Sequence, residues 1–119
     1  MKIIGKQLKN LTNEEYYIKH LEIVNPLLPN PSRMTDKELR VLACFMSLNG
    51  DLVNKNRFNT IARKEVMNKL GISSGGLGNY LKAFKDKNLI FKNEYDVLEI
   101  TEFLIPQEEA QGYKILITK

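Results

Sequence analysis

Apolar residues recur every three or four positions along much of the chain, which is the period of an amphipathic helix. The first such stretch is predicted to form a helix capped by Thr12 or Asn13, because both residue types accept hydrogen bonds from the free N–H groups of a helix start. Pro26 and Pro29 are expected to end this helix. Its apolar stripe comprises Tyr17, Ile18, Leu21 and Val24.

The clearest helical pattern lies in residues 34–51. Thr35 and Glu38 form the T-x-x-E capping box, in which each side chain accepts a hydrogen bond from the backbone N–H of the other residue. The Asn49-Gly50 pair is expected to end this helix. The apolar positions of the stretch are Leu39, Val41, Leu42, Ala43, Phe45 and Met46.

Two further helices are predicted on either side of Gly71, a residue that tolerates the backbone conformation of a tight turn. Thr60 is expected to cap the first helix, which runs to Leu70. Ser73 is expected to cap the second helix, which runs to about Lys87. The inward residues are Val66, Met67 and Leu70 in the first helix and Leu77, Leu81 and Phe84 in the second.

Branched residues in short runs predict extended segments in the second half of the chain. A short strand is expected near Arg57 and Phe58, and a turn or loop is expected at residues 107–112. The resulting order is helix, helix, short strand, helix, turn, helix and three strands, which is an α+β class. The three later strands are expected at residues 88–93, 96–106 and 113–119.

The length and composition favour a single intracellular domain. A chain of 119 residues that is 43% hydrophobic can bury one core. Cys44 is the sole cysteine, which excludes an intramolecular disulfide framework. No apolar run approaches the roughly 18–20 residues of a membrane span, and the first residues lack a signal-peptide core. Lysine, asparagine and isoleucine are abundant, a bias that suggests an AT-rich genome such as those of some bacteria and their phages. A cytoplasmic location without a membrane partner is expected, which for a phage protein means the host cytoplasm or the virion.

Residues 63–82, "RKEVMNKLGISSGGLGNYLK", resemble the helix-turn-helix motif. The motif has apolar residues at its fourth, eighth, tenth, fifteenth and eighteenth places and favours glycine at the ninth, where Gly71 stands. Together with the preceding capping-box helix and the later strands, residues 34–119 resemble a winged-helix domain of the broad MarR-like, transcription-regulator type. The apolar residues that match the motif are Val66, Leu70, Ile72, Leu77 and Tyr80.

The resemblance implies a three-helix core with a β-hairpin wing in residues 34–119, preceded by an N-terminal extension in residues 1–33. Ile3, Ile4 and Leu8 in the extension are expected to form a short strand or a packed tail. The helix that follows them is expected to serve as an oligomerisation arm, since many regulators with this fold dimerise through an added N-terminal helix.

The charge is distributed unevenly along the chain. Residues 1–53 carry 7 basic and 6 acidic side chains, residues 54–92 carry 9 and 2, and residues 93–119 carry 2 and 6, so the three parts have net charges of +1, +7 and −4. The positive part coincides with the helix-turn-helix, as phosphate binding requires. The acidic part is expected to face solvent or a basic partner, because its turns repel phosphate.

The resemblance also implies which residues contact DNA. Asn79 can pair bidentately with adenine in the major groove, Lys82 can reach guanine or a phosphate, and the hydroxyls suit phosphates or base edges. Lysines and arginine nearby are expected to bind the backbone. The predicted DNA-binding residues are Ser73, Ser74, Gly75, Gly78, Asn79, Lys82, Lys85, Arg63 and Lys64.

Gly75, Gly76 and Gly78 lie where the second helix of the motif begins, although glycine inside a helix costs about 0.5–1 kcal/mol relative to alanine. The favoured interpretation is close approach, with backbone amides set directly against a phosphate. A second is a helix that becomes ordered only on binding. A third is that the groove-facing role is lost and the surface packs on protein.

Catalytic chemistry is not expected. His20 and Cys44 stand alone, and a lone histidine or a cysteine on an apolar helix is most often a packed residue. One cysteine and one histidine cannot make a zinc site unaided, and "GISSGGLG" matches neither the P-loop nor the dinucleotide fingerprint. No enzyme activity and no cofactor are therefore predicted.

Two functional hypotheses follow. The first is a double-stranded DNA-binding winged-helix protein, a transcriptional regulator of a bacterium or phage. The second is a protein–protein interaction module on the same fold, such as a phage virion or assembly component. A homodimer or another protein partner is expected to use the N-terminal helix or the acidic C-terminal third.

Overall fold

The computed structural model describes residues 13–48 and 56–106, and this part of the chain has the expected α+β class. Its longer elements are four helices and one antiparallel hairpin, and none of the described helices is both long and apolar enough to cross a membrane. The helices are α1 (Asn13–Val24), α2 (Asp36–Ser47), α3 (Thr60–Leu70) and α4 (Ser74–Asp86), and the strands are β1 (Ile90–Lys92) and β2 (Leu98–Ile100).

Helix α1 packs along α2, and its predicted stripe faces the core. Leu21 and Val24 are fully buried, while Tyr17 and Ile18 are partly buried against the same core. The core is therefore continuous across residue 33, and the apolar stripe of α1 is used within the chain. The segment with Ile3, Ile4 and Leu8 lies outside the described residues.

The junction between α1 and α2 is held by side chains as well as by proline. Asn25 donates from Nδ2 to Met34 O at 3.0 Å and accepts from Met34 N–H at 2.8 Å. Short 3₁₀ turns at Asn25–Leu27 and Asn30–Ser32 each contain a proline near the start. The chain thus leaves α1 in a fixed direction and delivers α2 to its position.

Helix α2 is the central helix of the core, and its capping box is confirmed. Thr35 Oγ1 accepts from Glu38 N–H at 3.2 Å, and Glu38 Oε1 accepts from Thr35 N–H at 2.8 Å. All the apolar positions predicted for this helix are buried. The helix ends at Ser47, and the predicted terminator Asn49-Gly50 lies outside the described residues.

Two predictions about the approach to α3 are wrong. Arg57 and Phe58 form a turn instead of a strand, because the Asn56 side chain accepts from Phe58 N–H at 3.2 Å and closes a local loop. The Phe58 ring then packs on Phe45, with ring centroids 4.7 Å apart. Asn59, and not Thr60, caps α3, since Asn59 Oδ1 accepts from Ala62 N–H at 2.8 Å.

The turn between α3 and α4 is formed as the sequence predicts. Gly71 has φ +65° and ψ 40°, the left-handed conformation in which a side chain would be strained. Ser73 caps α4, and its Oγ accepts from Gly76 N–H at 3.0 Å. In α3, Val66 is buried, whereas Met67 and Leu70 are only partly buried. The predicted inward residues of α4 are buried: Leu77, Leu81 and Phe84.

The hairpin turns its apolar residues toward the helices. Ile90 pairs with Ile100 and Phe91 with Glu99, so the first pair lies on the buried face and the second on the outer face. The predicted strand 88–93 is confirmed in β1. The predicted strand 96–106 is confirmed only in β2, because Glu102–Leu104 forms a 3₁₀ turn. The loop predicted at 107–112 and the strand predicted at 113–119 lie outside the described residues.

His20 joins α1 to the segment after β2. The ring is 4% exposed, and its Nε2 lies 2.8 Å from Leu104 O. A carbonyl only accepts, so Nε2 carries the proton in this bond. Burial lowers the pKa of His20 below its ordinary value of 6.5, although the bond to the Leu104 carbonyl acts in the opposite direction.

The protein is expected to lose stability as the pH falls below about 6.5, because His20 binds a proton in the unfolded chain before it does so in the folded one. This contribution is at most about 1.4 kcal/mol per pH unit. His20→Gln keeps an N–H donor that does not titrate. Urea denaturation at several pH values should show a smaller acid-side loss for this variant, and equal losses in both proteins would contradict the role given to His20.

Candidate nucleic-acid interface

Helix α4 presents one continuous exposed face, here called the α4 outer face. At about 100° per residue, its members fall within an arc of about 140° around the helix axis. Six of the predicted DNA-binding residues are on it, and Ser73 lies beside it as the exposed cap. Asp86, an acid, stands at its far end. The α4 outer face comprises Ser74, Gly75, Gly78, Asn79, Lys82, Lys85 and Asp86.

The glycines near the start of α4 differ in their surroundings. A Cβ on Gly76 would lie 3.1 Å from Ser73 Oγ and 3.2 Å from Ile72 Cγ2, so the cap of α4 favours glycine there. A Cβ on Gly75 or Gly78 would have no neighbour within 4 Å. The fold thus gives a steric reason for Gly76 and none for the other two.

Several lysines near the two helices have ammonium groups open to solvent. Lys82 and Lys85 on the α4 outer face, and Lys64 and Lys69 on α3, are exposed. Within residues 13–48 and 56–106, no carboxylate forms an ion pair with any of them. These four cations are available to an anionic partner.

Arg63, in contrast, is partly engaged in the fold. Its Nε donates to Phe58 O at 2.7 Å, and the residue is half-buried at the start of α3. Only its terminal nitrogens can therefore extend toward a phosphate. The predicted DNA-contacting residues are thus of two kinds. Those at α4, together with Lys64, are exposed, whereas Arg63 also holds the turn before α3.

Arg57 has a structural role that its sequence neighbours do not reveal. Its Nη1 donates to the carbonyl oxygens of Phe45, Met46 and Leu48 at 3.1, 3.1 and 2.9 Å. These carbonyls lie in the last turn of α2 and at its C-cap Leu48, where the final carbonyls run out of helical N–H partners and the helix dipole favours a cation. Phe45 O also accepts from Leu48 N–H at 3.3 Å. Arg57 is thus a C-terminal cap supplied from a later segment of the chain.

Lys87 is also used inside the fold. It forms a hydrogen-bonded ion pair with Glu38, so the end of α4 is tied to the start of α2. Burial acts to raise the pKa of Glu38, but the bonds from Lys87 and Thr35 outweigh it, and the pKa is lowered from its ordinary value. Glu38 therefore remains a carboxylate, and Lys87 is not a free phosphate ligand.

The thiol of Cys44 is embedded in the core. Cys44 is fully buried, as its apolar surroundings in the sequence predict. Burial, followed by the nearby charge of Glu14, raises the pKa of its thiol to about 11. Among the described residues, no three histidine, cysteine or acidic side chains lie close enough together to bind a metal ion.

A cleft of about 280 Å³ opens between α1, the end of α2 and β2. It lies apart from the α4 outer face, since none of the predicted DNA-binding residues lines it. Its walls are both apolar and polar, with one guanidinium and one carboxylate. The lining residues are Tyr17, Met46, Arg57, Leu98, Glu99, Ile100, Ile105 and Pro106.

The hairpin and the turn after it form an acidic surface with exposed aromatic rings, here called the hairpin surface. Residues 93–106 contain four acidic side chains and no basic one. Exposed Lys92 at the end of β1 pairs with one of them, Asp96, at 3.4 Å. The side chain of Tyr95 is 76% exposed in the turn, and the exposed fractions of Phe91 and Phe103 are 46% and 49%. Exposed aromatic rings of this size are typical of surfaces that bind protein. The hairpin surface comprises Phe91, Glu94, Tyr95, Asp96, Glu99, Glu102 and Phe103.

The described part of the chain thus carries two surfaces of opposite character. The α4 outer face combines free lysines with bare backbone, whereas the hairpin surface combines carboxylates with aromatic rings. The first suits a polyanion, and the second repels one. Comparisons with protein-family models, with curated proteins and with solved structures find no match to this chain.

Proposed function

We propose that this protein binds double-stranded DNA through α4, as a winged-helix transcriptional regulator of a bacterium or phage that works in the cytoplasm. In this proposal α2, α3 and α4 form the three-helix core of the winged helix, and the β1–β2 hairpin forms its wing. Helix α4 enters the major groove, which is about 12 Å wide and accepts an α-helix. The exposed lysines bind phosphates on either side.

The observation that carries the proposal is the composition of the α4 outer face. Gly75 and Gly78 are exposed, and no neighbour within the described chain requires them to lack a side chain. Each lowers helix stability by about 0.5–1 kcal/mol relative to alanine. Because these two positions have no side chain, a polyanion can approach the backbone of α4 closely. The unpaired lysines beside them can then bind its charges.

Electrostatics further defines the orientation on DNA. The hairpin surface is acidic, so the wing turns away from the phosphates and α4 makes most of the contacts. Lys64 at the exposed side of α3 lies on the same basic part of the chain and extends the phosphate-binding surface. The binding free energy then depends mainly on ion pairs with the backbone, and affinity falls steeply with salt.

Replacing Gly75 and Gly78 together by alanine is expected to change stability and binding in opposite directions. The free energy of unfolding should rise by about 1–2 kcal/mol, because alanine is the better helix former and both positions are open. Affinity for a DNA duplex should fall, because the added methyl groups keep the helix away from the groove. Thermal denaturation and fluorescence anisotropy measure the two effects on one preparation.

Gly76→Ala is the matched control on the same helix. Its Cβ would press on Ser73 Oγ and Ile72 Cγ2 and lies outside the α4 outer face, so it should bring no gain in stability. A Gly75→Ala/Gly78→Ala variant that is more stable and still binds duplex with unchanged affinity would contradict close approach of the helix to DNA.

A second function is supported by the hairpin surface. Its exposed aromatic rings and its carboxylates suit a basic protein partner, which fits an interaction module such as a virion or assembly component. The two functions give different results in solution. An interaction module shows no salt-dependent affinity for DNA, and its partner binding is sensitive to Phe91→Ser or Tyr95→Ser, whereas these changes leave duplex binding through α4 intact.

A further inference from the structure

Asn79 occupies a distinctive place on the α4 outer face. It lies in the second turn of the helix, is exposed, and its side-chain amide forms no hydrogen bond with any described residue. It is the sole amide side chain in α4. Lysine ammonium groups can only donate hydrogen bonds, whereas an amide both donates and accepts in one plane. Asn79 therefore has the hydrogen-bonding capacity that distinguishes one base from another.

The length of the side chain is the main physical obstacle to such a role. Asparagine is short, so its amide reaches a base edge only if the helix backbone lies deep in the groove. Gly75 is one helical turn before Asn79, and Gly78 is adjacent to it. Neither presents a Cβ, and a Cβ there would point into open space instead of into the fold. The two glycines thus remove the atoms that would hold Asn79 away from the bases.

The lysines that follow Asn79 along α4 are placed to contact the DNA backbone. Lys82 lies one turn after Asn79 on the same exposed face, and Lys85 lies one turn further. Long lysine side chains reach phosphates at the groove edge while a short residue between them and the glycines remains at the groove floor. Along its length the α4 outer face thus carries the Ser74 hydroxyl, two glycines, one amide, two cations and, at its far end, the Asp86 carboxylate.

We propose that Asn79 is the specificity-determining residue of this surface and that it pairs with an adenine in the major groove. This inference rests on the DNA-binding function proposed above. In the pair, the adenine N6 amino group donates to Asn79 Oδ1, and Asn79 Nδ2 donates to adenine N7. The other contacts of α4 go to phosphates and carry no sequence information. Each bound copy therefore requires one A·T pair and tolerates change at most other positions.

The test begins with affinity selection from a library of random DNA duplexes. The wild-type protein should enrich sequences with adenine at one fixed position. Replacing that adenine by guanine should weaken binding by roughly 5- to 150-fold, the range of one bidentate base contact. Replacing it by 7-deazaadenine, which lacks N7 but keeps the N6 amino group, removes one of the two hydrogen bonds and should weaken binding by less. Asn79→Ala should bind all three duplexes with similar affinity. The Asn79→Ala variant is expected to fold normally, since the position is exposed and alanine favours helix.

Asn68→Ala is the matched control, because Asn68 is an exposed asparagine on the neighbouring helix α3. It should keep the preference for adenine. The inference fails if the wild type binds duplex without selecting adenine, or if Asn79→Ala retains the same selectivity; in both cases the proposed DNA binding stands. If the wild type binds no duplex at all, the proposed function and the inference fail together.

Discussion

Replacing Lys82 and Lys85 together by alanine is expected to weaken duplex binding roughly 60-fold at about 0.1 M salt. Both ammonium groups lie on the α4 outer face and have no carboxylate partner among the described residues. Each phosphate contact releases counterions and contributes about 0.9 to the slope of log affinity against log salt. The double variant should therefore show a slope smaller by about 1.8, measured by fluorescence anisotropy over a salt series.

A variant with the same change in total charge separates local contacts from the general attraction of a basic protein to DNA. Lys19 on α1 and Arg40 on α2 are exposed and lie on other helices. Lys19→Ala/Arg40→Ala should leave the salt slope nearly unchanged. If both double variants lose the same affinity and the same slope, α4 is not the DNA-binding surface.

Arg57→Ala is expected to lower the free energy of unfolding by about 2–4 kcal/mol, from the loss of hydrogen bonds to a charged group and of a cation at a helix C-terminus. The guanidinium bonds three carbonyls at the C-terminal end of α2, those of Phe45, Met46 and the cap residue Leu48. Its removal takes this donor from the carbonyls of Met46 and Leu48, whereas Phe45 O keeps the N–H of Leu48 at 3.3 Å. Urea denaturation measures the change, and DNA binding of the folded fraction should be unaffected.

Two comparisons test the reason for this loss. Arg33→Ala also removes a guanidinium that bonds backbone carbonyls, those of Leu28 and Pro26, but within one local loop. It should cost clearly less than Arg57→Ala. Arg57→Lys keeps the positive charge near the end of α2 and should recover part of the stability. An Arg57→Ala variant as stable as the wild type would show that α2 does not need this cap.

Local sequence signals predicted the helices well because their causes are local. The capping box of Thr35 and Glu38, the left-handed turn at Gly71 and the cap at Ser73 each depend on residues within one turn of helix. The period of apolar residues also placed Leu77, Leu81 and Phe84 inward. The exposed position of the α4 outer face follows directly from that inward set.

The features that the sequence did not reveal depend on distant partners or on a choice between adjacent residues. His20 bonds the carbonyl of Leu104, 84 positions away, and Lys87 pairs with Glu38, 49 positions away. The periodic pattern of apolar residues does not predict contacts between such distant positions. Asn59 took the capping position in place of its neighbour Thr60, because the turn at Asn56 sets where α3 begins.

Charge counting alone therefore overestimated the number of cations that are free to bind a phosphate. It included Arg57, Arg63 and Lys87 among the cations of the basic segment 54–92, whereas these side chains hold the end of α2, the turn before α3 and the end of α4. The exposed lysines that remain are fewer and are concentrated on α4 and the outer side of α3. A net charge computed from the sequence does not show which of the charged side chains are free to bind a phosphate.

The most direct test of DNA binding is the affinity of the wild-type protein for a random duplex of about 30 base pairs, roughly three helical turns, over a series of salt concentrations. The account predicts a dissociation constant of about 1 μM or lower at about 50 mM salt and a steep linear fall of log affinity with log salt. The absence of binding at low salt would contradict it and would make the hairpin surface the place to search for a partner.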